Sequence, residues 1–68
     1  MTFANILKEY LDSENMKQSE FAKEVGIKSS KVNEWLAGKA KPAYDSLKLM
    51  ATKLNVSADY LLGITDTY

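Results

Sequence analysis

Gly26 separates two short stretches of this sequence that both have helical periodicity. Each stretch carries three apolar residues on one helical face: Phe21, Ala22 and Val25 in the first, and Val32, Trp35 and Leu36 in the second. A glycine between them suits the left-handed residue that often ends a helix, because it has no Cβ to clash there. The small side chain of Ala22 allows the two helices to approach closely. The pattern therefore predicts a helix-turn-helix over about residues 17–37.

Three further amphipathic segments surround this pair of helices. In the first, five apolar residues recur at helical spacing: Phe3, Ile6, Leu7, Tyr10 and Leu11. The others cover about residues 44–54 and 58–62, while 39–42 is a loop, since Pro42 disfavours helical geometry in the residue before it. We expect Thr2 and Ser57 to cap the first and last helices. No alternating β-branched pattern occurs, so we predict an all-α fold of five helices in one domain, residues 1–68.

Positive charge is concentrated in one segment, although the chain as a whole carries no net charge. Residues 28–41 contain four lysines and one glutamate, a net charge of +3. Residues 1–27 carry −2 and residues 42–68 carry −1. A local positive patch of this kind is what a phosphate-binding surface requires. An ordinary surface with solvated lysines is the alternative.

The composition argues against several classes of protein. There is no cysteine or histidine, so disulfides, thiolate metal sites and the commonest catalytic base are excluded. A chain of 68 residues offers little room for a ligand pocket. We therefore expect no enzyme activity, metal, cofactor or small-molecule ligand. No signal-peptide pattern or run of about 20 apolar residues occurs, so we expect a cytoplasmic protein that does not contact membranes.

The spacing of eight residues forms a recognisable pattern: Gln18, Ala22, Gly26, Ile27, Val32, Trp35, Gly38 and Pro42. This pattern resembles the XRE family of helix-turn-helix transcriptional regulators, the Cro and lambda-repressor type. The similarity continues through the segment 56–63, which resembles the usual fifth helix of that family. It implies a compact five-helix lambda-repressor-like DNA-binding domain, in which the second and third helices form the motif and the third enters the major groove.

The resemblance also implies which residues would contact double-stranded DNA. Since Val32, Trp35 and Leu36 face inward, Ser30, Glu34 and Ala37 face outward. The base-reading candidates are Ser29, Ser30, Lys31, Asn33 and Glu34. The phosphate-binding candidates are Gln18, Lys28, Lys39 and Lys41, although Lys28 and Lys31 are placed to reach either bases or phosphates. Trp35 is expected in the core, and Ser29 and Ser30 have helix capping as an alternative role.

Several features depart from the family pattern. Lys17 stands where the family usually has a capping serine or threonine, and Leu36 replaces a common glutamate. Glu34 places a carboxylate toward the groove, where it can accept from cytosine but also repels phosphates. The chain has no arginine, so the bidentate contact to guanine is missing. We expect modest affinity per monomer and an adenine-rich or shape-based preference.

The C-terminal segment is rich in large apolar residues: Tyr60, Leu61, Leu62, Ile64 and Tyr68. Some must pack on the first or fourth helix, and any that stay exposed favour self-association. We name Tyr60, Leu61, Leu62 and Ile64 as dimer contacts, because a homodimer would bind a palindromic site more tightly than one small module can.

Two functions remain open. The first is a sequence-specific DNA-binding regulator, a repressor or phage-type protein that occupies an operator. The second is a helix-turn-helix domain repurposed for protein–protein interaction, as in an anti-repressor or an antitoxin-like partner. The positive segment favours the first, whereas Glu34, the neutral total charge and the absence of arginine favour the second. The pattern also leaves open whether Tyr44 contacts a phosphate or covers Pro42.

Overall fold

The structure, a computed structural model, describes residues 2–65 and confirms the all-helical prediction. Its helices are α1 (Phe3–Ser13), α2 (Gln18–Val25), α3 (Ser29–Leu36), α4 (Tyr44–Leu54) and α5 (Ala58–Leu61). No strand occurs within the described range. The helix-turn-helix is formed by α2 and α3, as predicted. The first helix, α1, continues two residues past its apolar stripe before Glu14 ends it.

The helices pack around one hydrophobic core. α1 contacts α3 and α5, while α2 contacts α3 and α4. Among residues 2–65, the buried residues are Ile6, Leu7, Tyr10, Leu11, Phe21, Ala22, Val25, Val32, Trp35, Met50, Val56, Tyr60 and Leu61. Aromatic rings meet edge to face inside this core: Phe3 and Trp35 have centroids 5.8 Å apart, and Tyr10 and Phe21 6.4 Å apart. This geometry joins α1 to both helices of the motif.

Side chains cap the first and last helices, as the sequence predicts. The Thr2 hydroxyl accepts a hydrogen bond from the Asn5 N–H at 3.3 Å. The Ser57 hydroxyl accepts one from the Tyr60 N–H at 3.1 Å. Each bond satisfies a backbone donor that the first turn of a helix leaves unpaired. By contrast, α2, α3 and α4 begin after Lys17, Lys28 and Ala43, whose side chains make no capping hydrogen bond.

The described residues contain no helix that is both long and apolar enough to cross a membrane. They also contain no cluster of acidic, histidine or cysteine side chains that could hold a metal ion.

Candidate nucleic-acid interface

The turn between α2 and α3 depends on Gly26. This residue has φ +84°, in the left-handed region, and its N–H donates to the Ala22 carbonyl at 2.9 Å. The Ile27 N–H donates to the same carbonyl at 2.9 Å, which closes the end of α2. A Cβ at Gly26 would meet no atom within 4 Å, so the backbone conformation, and not lack of space, favours glycine here.

The inward face of α3 is fixed to the core through Val32 and Trp35. Both side chains are buried, and Leu36 is half-buried beside them. The Trp35 ring packs edge to face on Phe3, with the ring planes at 86°. Trp35 is therefore a core residue, as predicted, and its ring is covered by protein. Because one face of α3 is held in this way, its opposite face has a defined orientation toward solvent.

The outward surface of α3 carries all five base-reading candidates. Ser29, Ser30, Lys31, Asn33 and Glu34 are exposed. Within residues 2–65 their side chains make no hydrogen bond or ion pair. We call these five residues the outward face of α3. Their polar groups are available to a ligand without breaking any contact of the fold.

Gln18 links the beginnings of the two motif helices. Its Nε2 donates to the Ser29 carbonyl at 3.4 Å, across eleven residues of sequence. The sequence gives no sign of this bond, since it predicts Gln18 only as a phosphate contact. A glutamine amide has two donor hydrogens and an acceptor oxygen, so this bond leaves capacity for a phosphate. Gln18 thus braces the start of α3 and can still bind a ligand.

The N-terminus of α3 is open to solvent. Lys28 is the residue that precedes the helix, and Ser29 and Ser30 occupy its first two positions. The alternative that these serines only cap the helix is therefore wrong, because a capping residue lies outside the first turn. Exposed backbone N–H groups with no capping side chain attract anions such as phosphate.

The loop after α3 places two lysines beside the motif. Lys39 and Lys41 are exposed in this loop, and the Lys39 N–H donates to the Glu34 carbonyl at 3.0 Å, which ties the loop to the end of α3. Lys28, the fourth phosphate candidate, is also exposed. Tyr44 opens α4 with its side chain 75% exposed, so the ring is not buried against Pro42.

The residues predicted as dimer contacts differ in how exposed they are. Tyr60 and Leu61 are only 6% and 3% exposed, because α5 packs on α1 and α4 and buries them in the core. Little of either side chain is therefore available to a second chain while α5 is packed in this way, and the prediction of dimer contacts rests on Leu62 and Ile64. Leu62 and Ile64 are 57% and 71% exposed. Tyr68 lies outside the described residues.

Leu62 also lines an open groove of about 410 Å³ at this end of the domain. The groove is bounded by Thr2, Phe3, Ile6, Lys41, Pro42, Leu47, Leu61 and Leu62. Its walls are mostly apolar, and it contains no buried polar side chain that would select a small molecule.

Comparison with known proteins identifies a family and similar proteins. The family model that matches residues 7–61 is described as Helix-turn-helix. The chain is 32% identical over 60 residues to YobD of Bacillus subtilis (strain 168), an uncharacterized HTH-type transcriptional regulator; the match covers 88% of this chain and 54% of YobD. The crystal structure of a transcriptional regulator from Listeria innocua matches with a TM-score of 0.78 and 26% identity, over 91% of this chain and 58% of that one. This chain spans little more than half the length of either relative.

Proposed function

Because this chain belongs to the XRE-type helix-turn-helix family of transcriptional regulators, we propose that it is a sequence-specific DNA-binding repressor or phage-type regulator that occupies an operator. The observation that carries the proposal is the outward face of α3, whose five polar side chains are exposed and without protein partners among residues 2–65. A helix held by its inner face and free on its outer face is suited to insertion into the major groove.

The roles of the side chains follow from their chemistry. In the groove, Asn33 suits adenine, where its amide can pair with N6 and N7, and the hydroxyls of Ser29 and Ser30 suit either donors or acceptors. Lys31 reaches a base or a neighbouring phosphate. Gln18, Lys28, Lys39 and Lys41 bind the phosphate backbone, which positions the protein without reading sequence. No cofactor is needed for this activity, and we expect it in the cytoplasm.

We further propose that the protein binds DNA as a homodimer through Leu62 and Ile64. These two side chains are apolar and exposed, and only Gly63 separates them in the sequence. A single small module buries about 600–1,000 Å² on DNA and binds weakly, so two copies on a palindromic site would gain affinity. The half-sites would lie about 34–36 Å apart, one helical turn.

An electrophoretic mobility-shift titration over random and palindromic duplexes tests the proposal. We expect binding that weakens as salt increases, because released counterions drive it. Changing Lys39→Ala and Lys41→Ala together should weaken binding to every sequence and reduce the slope of log K against log salt by about 1.8, or 0.9 per lost contact. Lys8→Ala and Lys53→Ala together are the matched control, since they remove the same charge from two exposed lysines, on α1 and α4. No salt-sensitive binding at high micromolar protein and low salt would contradict the proposal.

The second candidate is a helix-turn-helix domain used for protein–protein interaction, as in an anti-repressor or an antitoxin-like protein. It is favoured by the exposed carboxylate of Glu34 on the outward face of α3 and by the zero net charge of the chain. In this case no duplex would be bound with salt sensitivity, and the lysine variants would behave like the parent protein.

A further inference from the structure

Glu34 stands out on the outward face of α3 because of its charge. It is the single acidic residue of the positive segment 28–41. On the helix it lies one turn after Ser30, directly opposite the buried face of Val32 and Trp35. The side chain is exposed, and the structure shows no lysine paired with it anywhere in residues 2–65. A carboxylate on this outward face lies toward any DNA that α3 contacts, and no ion pair within residues 2–65 neutralises it.

We propose that Glu34 is a specificity-determining residue that accepts a hydrogen bond from the N4 amino group of cytosine at one C·G pair of the bound site. The inference rests on the proposed DNA-binding function. An ionised carboxylate can only accept hydrogen bonds. In the major groove guanine presents the acceptors N7 and O6, and thymine presents O4 and a methyl group. Adenine places its N6 donor next to the acceptor N7, whereas cytosine offers the N4 donor alone, so cytosine is the base that fits.

The same carboxylate acts against other sequences. Where no amino group is available, Glu34 loses water and faces base acceptors and phosphates that repel it. The favourable charge that offsets this repulsion is small, since segment 28–41 has four lysines and the chain has no arginine. Glu34 therefore contributes to specificity by weakening binding to incorrect sites as well as by binding the correct one.

The test begins with the duplex that the parent protein selects from a random library. Each position of this duplex is then varied through the four base pairs, and the position whose preference changes in the Glu34 variants is identified as the one that Glu34 contacts. We expect the parent protein to prefer C·G there by about tenfold, which corresponds to one good base contact. Glu34→Ala should remove the preference and bind random-sequence duplex more tightly. Glu34→Gln should move the preference toward A·T, because a carboxamide pairs with N6 and N7 of adenine.

Glu9→Gln serves as the matched control. It removes the same charge from an exposed position on α1, whose inner face packs against α3, and it should change neither the preferred base nor the affinity for random duplex by a comparable amount. Circular dichroism should show unchanged folding for all three variants, since Glu9 and Glu34 are exposed.

Two results distinguish failure of the inference about Glu34 from failure of the proposed DNA-binding function. If both Glu34 variants bind every duplex more tightly to the same extent, with the selected sequence unchanged, Glu34 is an ordinary solvated residue and the inference is overturned. If the parent protein binds no duplex in a salt-sensitive way, the proposed function fails as well.

Discussion

The start of α2 lacks a side-chain cap, and supplying one should raise the free energy of unfolding. Lys17 precedes the helix with an extended backbone, and its N–H donates to the Glu20 Oε1 at 2.9 Å. This bond is half of a capping box, in which the residue before the helix and the third helical residue satisfy each other's backbone N–H groups. The other half is missing, because a lysine ammonium group cannot accept a hydrogen bond. Lys17→Ser should supply the missing acceptor.

Two effects of Lys17→Ser should raise the free energy of unfolding: a new capping hydrogen bond and the loss of a positive charge. A serine hydroxyl that accepts from the Glu20 N–H should raise the free energy of unfolding by about 1 kcal/mol. For a domain of this size, that corresponds to an increase in Tm of about 4–8 °C. Removing the lysine charge from the positive end of the helix dipole should add about 0.3–1 kcal/mol at low salt. Lys17→Ala separates the two effects, since it removes the charge without supplying an acceptor.

Urea and thermal unfolding followed by circular dichroism at 222 nm measure both variants. We expect Lys17→Ala to be slightly more stable than the parent protein, and Lys17→Ser to exceed Lys17→Ala by about 1 kcal/mol. The gap between the variants should persist at high salt, because a neutral hydrogen bond is not screened. Equal stability of the two variants would refute the reasoning, since it would mean that a side-chain acceptor at residue 17 adds nothing beyond the bond that the residue-17 N–H already donates to the Glu20 carboxylate.

Two further substitutions test the interior of the motif. Trp35→Ala removes the largest side chain on the inner face of α3 and should lower the free energy of unfolding by about 3–5 kcal/mol. This is most of the stability of a domain of this length. A urea midpoint close to that of the parent protein would contradict the packing described. Gly26→Ala should cost about 1–2 kcal/mol, because φ is +84° and no atom lies within 4 Å of the added Cβ. Gly38 has φ +75° and equally open space, so Gly38→Ala should lower the free energy of unfolding by a similar amount. A much larger decrease for Gly26→Ala in chemical denaturation would indicate a steric clash at Gly26.

The helices and most of the core could be predicted because their signals are local. The apolar spacing in α1, α2 and α3 places each buried face directly, and Gly26 marks the left-handed end of α2. Thr2 and Ser57 cap their helices for the same reason, since each needs only the next few residues. The outward face of α3 then follows as the side opposite its buried residues.

Other features depend on contacts between distant parts of the chain, and the sequence does not reveal them. The bond from Gln18 to the Ser29 carbonyl joins residues eleven positions apart, so no local pattern signals it. The sequence likewise shows Tyr60, Leu61, Leu62 and Ile64 as one apolar run. Which of them are buried depends on the angle at which α5 meets α1 and α4. Val56 lies between α4 and α5, and its burial in the core depends in the same way on how these two helices pack.

The position of Trp35 has a practical consequence. It is the single tryptophan of the chain, and its indole lies behind the helix whose outer surface is proposed to meet DNA. Its intrinsic fluorescence therefore reports on the packing of α3 against Phe3 without any label. If α3 binds as a rigid body, the emission maximum should stay blue-shifted when duplex is added. A red shift on addition of duplex would instead reveal that recognition loosens the contact between α1 and α3.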